Sequence, residues 1–166
     1  MLAPELNEAT KMLARELDQA EEYVRRCTEH LEIALAYAKT KRQEFKDADR
    51  KEGNQKAYVK WSLNQLPVYY ICGLRQGINV AEFDEGNTYE ETKKKLEQVI
   101  KYALSQDVNV VRLEQINFPN WNAWITFTQE PSDNDKVIQM LKSGNLWLSE
   151  CAKVKVSLVE TFEPLK

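Results

Sequence analysis

The sequence predicts an α+β protein with a long helical, coiled-coil region at residues 1–66 and an α+β domain at residues 67–166. Two observations carry this prediction. Neither Gly nor Pro occurs from Glu5 to Glu52, where strong helix formers dominate. After Pro67, clusters of β-branched and aromatic residues alternate with two short amphipathic helical patterns. We therefore treat the two regions separately.

Composition limits the class of protein. The chain has 166 residues, of which 43% are apolar and 10% aromatic, so it can form one ordinary domain with an appendage. No stretch approaches the roughly 20 apolar residues that cross a bilayer, and no leader pattern stands at the N-terminus. We expect no membrane association. Cys27, Cys72 and Cys151 are widely spaced with His30 as the single histidine, which predicts reduced thiols, no metal site and a cytoplasmic location.

The N-terminal region is predicted to be a rod that ends at Gly53. Pro4 fits the first turn of a helix, and Gly53-Asn54 are residue types that commonly end one. At about 1.5 Å per residue, such a rod is roughly 70 Å long. A second helix is predicted from Gln55 to Gln65, stopped by Pro67 and folding back on the rod as a helical hairpin.

A seven-residue repeat runs along the rod. Twelve of its fourteen seam positions are apolar or small, which is typical of a coiled coil. Thr10 and Lys41 break the pattern, and the larger apolar seam residues are Leu6, Leu13, Leu17, Val24, Leu31 and Phe45. The seam has two interpretations: a helical hairpin that caps the following domain, or self-association into a homo-oligomer. The persistence of the repeat over about six heptads favours self-association.

Six elements are predicted after Pro67, in the order strand, helix, strand, strand, helix, strand. The strands are placed at Val68–Leu74, Val108–Ile116, Ala123–Thr128 and Lys153–Leu158. Thr88 begins a capping box for the first helix, and the second is predicted to start at Ser132 and end at Gly144. This order folds naturally into a ferredoxin-like (βαββαβ) antiparallel sheet with both helices on one face.

Alternation along the strands predicts which side chains reach the open face of that sheet. Tyr70 and Trp124 point outward from the two central strands, together with Asn122 and Thr126. The edge strands are expected to add Lys153, Lys155 and Ser157 on one side and Val110, Arg112 and Glu114 on the other. The prediction is a pair of aromatic side chains flanked by basic groups.

The strand motifs resemble those of the RNA recognition motif family. Residues 69–74, Tyr-Tyr-Ile-Cys-Gly-Leu, are similar to the RNP2 hexamer, with Gly73 where Asn is usual. Residues 120–127, Asn-Trp-Asn-Ala-Trp-Ile-Thr-Phe, look like a degenerate RNP1 octamer that lacks the basic residue, the glycine and the first aromatic. The resemblance covers about residues 68 to 161. It implies that Tyr70 and Trp124 stack on the bases of single-stranded RNA.

Other features limit the RNA interpretation. Residues 66–166 contain eleven bases and fourteen acids, so this part carries a net charge of 11 − 14 = −3 rather than the basic field of a nucleic-acid binder. The segment Arg75 to Asn87 is longer than the usual link and is expected to form an extra hairpin. The alternative for the aromatic face is that the N-terminal helices, the segment Arg75 to Asn87 or a partner protein covers it, which is the commoner outcome for exposed aromatic side chains.

Two function classes follow. No nucleophile elbow, phosphate-binding loop or metal motif appears, so we expect a protein that is not an enzyme and needs no cofactor. The favoured class is an oligomeric protein-protein interaction (adaptor or scaffold) protein that binds itself and another protein. The alternative is a single-stranded RNA-binding protein made multivalent by the rod.

Overall fold

The computed structural model describes residues 3–75, 88–117 and 120–164, without the side chains of residues 3–6, 116 and 117. It confirms the α+β class: a long N-terminal helix precedes a five-stranded antiparallel sheet with two further helices. The elements are α1 (Ala3–Ser62), β1 (Val68–Arg75), α2 (Tyr89–Leu104), β2 (Val108–Asn117), β3 (Asn120–Phe127), α3 (Asp135–Ser143), β4 (Asn145–Ser149) and β5 (Ala152–Val159).

Helix α1 is one unbroken helix of 60 residues, so the predicted helical hairpin is wrong. Gly53 lies inside the helix rather than at its end, and the segment from Gln55 continues the same helix. Glycine here leaves room for a neighbouring ring, a packing role that composition does not reveal. The helix ends at Ser62, before Pro67, where Asn64 and Gln65 donate backbone hydrogen bonds to the Trp61 carbonyl and Gln65 takes a positive φ of 50°.

The contacts divide the chain into two compact units, Met1–Phe45 and Lys46–Lys166. In the first unit the surface of α1 carries ion pairs one turn apart, such as Arg25 with Glu22 at 2.5 Å and with Glu29 at 2.6 Å. Because these side chains are exposed to solvent, such pairs contribute little to the stability of the helix. The last part of α1, Lys46–Ser62, belongs to the same unit as the sheet.

The sheet has the strand order β2-β3-β1-β5-β4, and every neighbouring pair is antiparallel. β1 and β3 lie inside the sheet and β2 lies at an edge, as predicted. The last strand was expected at the other edge, but β5 lies between β1 and β4. The sequence analysis did not predict β4. This strand has only five residues, and a single residue, Gly144, separates it from α3, so its alternating pattern is too short to be recognised.

The predicted helix ends are mostly confirmed. Thr88 caps α2, and its hydroxyl accepts a hydrogen bond from the Glu91 N–H at 3.3 Å. Gly144 ends α3 with a φ of 71°. The predicted start of α3 was wrong: Asn134, not Ser132, is the cap, because its side-chain oxygen accepts from two N–H groups of the first turn.

The two faces of the sheet carry separate apolar clusters. α2 and α3 cover one face and form the main core; their buried residues there include Leu96, Ile100, Leu104, Val137 and Met140. On the other face a smaller cluster joins three buried residues, Val68, Val111 and Phe162, to Tyr58, Trp61, Trp124 and Val159. Because Tyr58 and Trp61 belong to α1, the end of that helix covers part of the face that was expected to be open.

The end of α1 also covers the edge of β2. The buried amide of Asn54 donates to the Leu113 carbonyl at 2.8 Å and accepts from the Leu113 N–H at 2.9 Å. One side chain thus satisfies both backbone groups that this edge residue turns away from β3. Nearby, Asp49 accepts from the Tyr89 N–H at 2.8 Å, which places a carboxylate at the positive N-terminus of α2.

The hairpin expected at Arg75 to Asn87 lies outside the described residues, except that Arg75 ends β1.

Candidate protein interaction surfaces

Tyr70 and Trp124 lie side by side on the sheet face opposite α2 and α3. They are direct partners in the β1–β3 ladder, and their ring centroids are 4.9 Å apart with the planes at 47°. The Asn122 amide is buried and donates a hydrogen bond to the Tyr70 hydroxyl. The predicted neighbourhood of these three side chains is therefore present.

Trp124 is not free to present a ring face. The Arg112 guanidinium, directly across the β2–β3 ladder, lies 5.2 Å from the Trp124 ring centroid and 4.5 Å from that of Phe162. It also donates a hydrogen bond to the Glu163 carbonyl. These contacts hold Arg112 between two aromatic rings, and burial lowers the pKa of its guanidinium. The chain itself therefore occupies one face of Trp124.

The remaining predicted platform residues separate. Lys155 is exposed and lies opposite Cys72 in the β1–β5 ladder. Because Cys72 is two residues after Tyr70 in β1, Lys155 lies on the same face of the sheet as Tyr70. Lys153 pairs instead with Trp147 of β4, and its ammonium lies 5.7 Å from that ring. Val110 was expected on the open face but is buried in the helix-side core, because the ladder shifts register between Val110 and Arg112.

The surface of α1 in the first unit carries most of the large apolar side chains that are exposed in the described part of the chain. The seam residues Leu13, Leu17, Val24 and Leu31 are 65%, 58%, 61% and 60% exposed; the Leu6 side chain lies outside the described part. The seam residue Phe45 is also exposed, and the exposed apolar side chains outside the seam in this unit include Met12, Tyr23, Ile33, Leu35 and Tyr37.

A groove of about 680 Å³ lies beside β4, between the end of α2 and α3. Ala103, Leu104, Met140 and Leu146 give it an apolar floor, and Lys136 and Lys142 stand at its rim. No acidic residue is among those lining it. Trp147, 57% exposed, borders the groove on the edge strand. This arrangement suits a ligand with an apolar side chain and negative charge.

The pattern of β4 shows which backbone groups face outward. The Val156 N–H donates to the Gly144 carbonyl at 2.8 Å. Further along the same ladder, Leu146 lies opposite Val154 and Trp147 lies opposite Lys153. Because hydrogen-bonded and non-bonded pairs alternate in an antiparallel ladder, the N–H and C=O of Trp147 point away from β5. Among the described strands, none pairs with this side of β4.

Sequence reasoning missed the groove, the β4 edge and the roles of Asp49, Asn54 and Phe162. The first two depend on a strand that was not predicted. Asn54 follows a glycine in a helical pattern, where both residues are typical of a helix end. The sequence alone does not distinguish an Asn at a helix end from an Asn whose side chain binds the backbone of an edge strand.

In the described part of the chain, no helix is long and apolar enough to cross a membrane, and no group of three or more His, Cys, Asp or Glu side chains could hold a metal ion. Comparisons with protein-family models, with curated proteins and with solved structures find no match for this chain. The geometry described above therefore carries the functional interpretation.

Proposed function

We propose that this chain is a non-enzymatic protein-protein interaction protein that self-associates through α1 and binds another protein through its α+β unit. The observation that carries the proposal is the exposed seam of α1. Leu13, Leu17, Val24 and Leu31 recur at heptad spacing and are each more than half exposed. Soluble monomers rarely expose so many large apolar side chains in one line, and such surfaces mark interaction sites.

Helix energetics support self-association. A helix packed against nothing is only marginally stable in water, and most helical stability in proteins comes from burying an apolar face. The i,i+3 and i,i+4 ion pairs on α1 are exposed and contribute little. Pairing the seam with a second copy would remove its apolar surface from water at roughly 25 cal/mol per Å².

Light scattering on the whole chain tests this proposal. We expect a mass of at least twice 19.4 kDa at tens of micromolar protein. Leu31→Glu places a charge in the seam and should shift the protein towards monomer. Ala36→Glu adds the same charge on the opposite side of the helix and should leave the mass unchanged. A monomer for the unmodified protein would remove the self-association proposal.

We propose that the α+β unit is a ferredoxin-like, RNA-recognition-motif-like domain with one added strand. Leaving out β4, the order β2-β3-β1-β5 and the two helices on one face support this assignment. The added β4 and the covering of the opposite face by α1 depart from the simple pattern. Both departures concern surfaces where a partner would bind.

The proposed contact surface for the other protein is the groove beside β4. An extended segment could add to the open edge of β4, place an apolar side chain over Met140 and Leu146, and set acidic groups against Lys136 and Lys142. At the other edge strand, β2, Asn54 already occupies the N–H and C=O of Leu113, which disfavours such pairing there.

Co-purification from the native cell tests the groove. A partner that is captured by the unmodified chain should be lost with Lys136→Glu/Lys142→Glu, which reverses the charge at the rim. Lys51→Glu/Lys94→Glu makes the same change in net charge at two exposed positions that do not line the groove, and this variant should retain the partner. Retention by both variants would exclude the groove as the contact surface.

Single-stranded RNA binding is the second candidate, favoured by the adjacent rings of Tyr70 and Trp124 and the exposed Lys155. Arg112 already occupies one face of Trp124, which leaves Tyr70 as the better stacking residue. Titration of an unstructured oligonucleotide at low salt tests it. Tyr70→Ala should weaken binding about tenfold, the effect of losing one stacked base. Absence of any titratable binding to the unmodified chain would exclude this candidate.

A further inference from the structure

The seam of α1 alternates large and small residues in a way that distinguishes the two orientations of a helix pair. Large residues stand at Leu13, Leu17 and Leu31, and alanines stand at 20, 34 and 38. All six positions lie on the exposed surface of the first unit. The orientation that a second copy adopts decides whether large residues meet large ones or small ones.

A parallel pair with both copies in register would place each seam residue against itself. Leu17 would meet Leu17, while Ala20 would meet Ala20 and leave little apolar contact in that layer. Lys41 would meet Lys41 inside the seam, which brings two like charges together where water is excluded. Glu16 of each copy would also lie next to Glu21 of the other copy. The parallel pair would therefore contain two further contacts between like charges.

An antiparallel pair centred between Val24 and Cys27 removes these conflicts. Leu17 then faces Ala34 of the second copy, Leu31 faces Ala20, and Leu13 faces Ala38. Each of these three layers combines one large and one small residue, so the helices keep an even spacing along the middle of the seam, whereas the layer of positions 6 and 45 pairs two large residues.

The charges agree with the same arrangement. Lys41 faces Thr10 of the second copy instead of another lysine, and its long stem can carry the ammonium to the rim. Glu16 falls beside Tyr37. Glu21 falls between Thr28 and Leu35. None of these neighbours is acidic, so the repulsion between flanking glutamates is absent.

Shifting this pair by one heptad in either direction is less favourable. One shift places Leu17 against Lys41 and Ala20 against Ala38, which creates a charged layer and an empty one. The opposite shift places Leu31 against Leu13 and Val24 against Ala20. The layers are then uneven, with bulky and small contacts in succession.

We propose that α1 pairs with a second copy of this chain in antiparallel orientation, with Val24 of each copy facing Cys27 of the other. This rests on the proposed self-association and specifies its geometry. The partner of the seam is therefore the same helix running in the opposite direction, and the pair has two-fold symmetry about its midpoint.

Disulfide trapping tests the orientation. The native cysteines are first replaced by Cys27→Ser, Cys72→Ala and Cys151→Ser. Two chains are then made, one with Leu13→Cys and one with Ala38→Cys, and each is oxidised alone and after equimolar mixing with time for subunit exchange. A disulfide needs Cα atoms within about 7 Å, so only residues that face each other are linked. Circular dichroism confirms that both variants keep the helical content of the unmodified chain.

The antiparallel pair predicts a covalent dimer only in the mixture, with a linked peptide pair that contains positions 13 and 38. Linkage of the Leu13→Cys chain to itself would show a parallel pair and overturn the proposal. A non-covalent dimer by light scattering that gives no linked product in any sample would overturn the register. A monomeric mass before oxidation would instead remove the self-association on which the orientation rests.

Discussion

The ring of Tyr89, at the start of α2, lies directly against the backbone of Gly53 in α1. A Cβ added at position 53 would overlap the ring, with only 2.5 Å to its Cγ and Cε1 atoms. Tyr89 is buried, and its backbone N–H donates a hydrogen bond to the side chain of Asp49, which lies one turn before Gly53 in α1. The glycine therefore permits the close approach of the two helices, although glycine in a helix interior is otherwise unfavourable.

The first prediction is that Gly53→Ala destabilises the protein. In an exposed helix this change stabilises by about 1 kcal/mol. Here the methyl group meets the Tyr89 ring, so we expect a loss of about 1 to 3 kcal/mol in the free energy of unfolding, measured by urea denaturation. Lys51→Ala, on the exposed side of α1, serves as the control and should change stability by less than about 0.5 kcal/mol. A stabilised Gly53→Ala variant would contradict the observed packing.

Asn54→Ala should destabilise more strongly. The substitution leaves both the N–H and the C=O of Leu113 buried without the partners that Asn54 supplies. Each unsatisfied group costs about 1 to 3 kcal/mol, so the two together predict a loss of about 2 to 6 kcal/mol in urea denaturation. Asn64→Ala, at an exposed position after the same helix, provides the matched comparison. Equal stability of the two variants would mean that Asn54 does not seal the edge of β2.

Tyr89→Phe is expected to be neutral or stabilising. The Tyr89 hydroxyl is buried without a hydrogen-bond partner among the described residues, and burial raises its pKa. Removing the oxygen keeps the ring against Gly53 and relieves the cost of burying an unpaired polar group, a gain of up to about 1 kcal/mol. Thermal denaturation of the variant and of the unmodified chain measures this difference in stability. A clear loss of stability would show that the hydroxyl has a partner.

Glu97→Gln should change how stability depends on pH. Burial raises the pKa of the Glu97 carboxyl, assisted by the charge of Glu90 and opposed by Lys93 and a hydrogen bond from the Val110 N–H. The folded state therefore binds this proton more tightly than the unfolded state. As the pH rises above about 4.5, the ordinary value, Glu97 lowers the free energy of unfolding until its folded-state pKa is passed.

The glutamine variant lacks this titration, and its amide oxygen can still accept from Val110. We expect its stability relative to the unmodified chain to increase from pH 4 to pH 7 in urea denaturation. Glu130→Gln, on an exposed loop, is the control for removing one acid. A difference that does not vary with pH would contradict the raised pKa.

The predicted elements that are correct rest on strong local patterns. The strand at Val68, the Thr88 cap and the Gly144 end each depend on neighbouring residues alone. Alternation in the two central strands placed Tyr70 and Trp124 on the same face of the sheet, while their direct pairing is a result of the structure. Each of these predictions depends only on a pattern of residues that are close together in the sequence.

The errors involve contacts between distant residues. Gly53 was interpreted as a helix end because its neighbour in space, Tyr89, is 36 positions away along the chain. Val110 was assigned to the wrong face because a register shift in the β2–β3 ladder follows it. The covering of Trp124 by Arg112 and Phe162 likewise depends on a C-terminal segment with no recognisable pattern.

The part of α1 from Lys46 to Ser62 has a practical consequence for any shortened version of this protein. A fragment that starts at Pro67 would lack the amide that closes the outer strand and the aromatic residues beneath Phe162. Its bare strand edge would be available to pair with other molecules, and we expect such a fragment to aggregate. A fragment that starts near Lys46 keeps the last part of α1, which covers this strand edge, and should remain monodisperse.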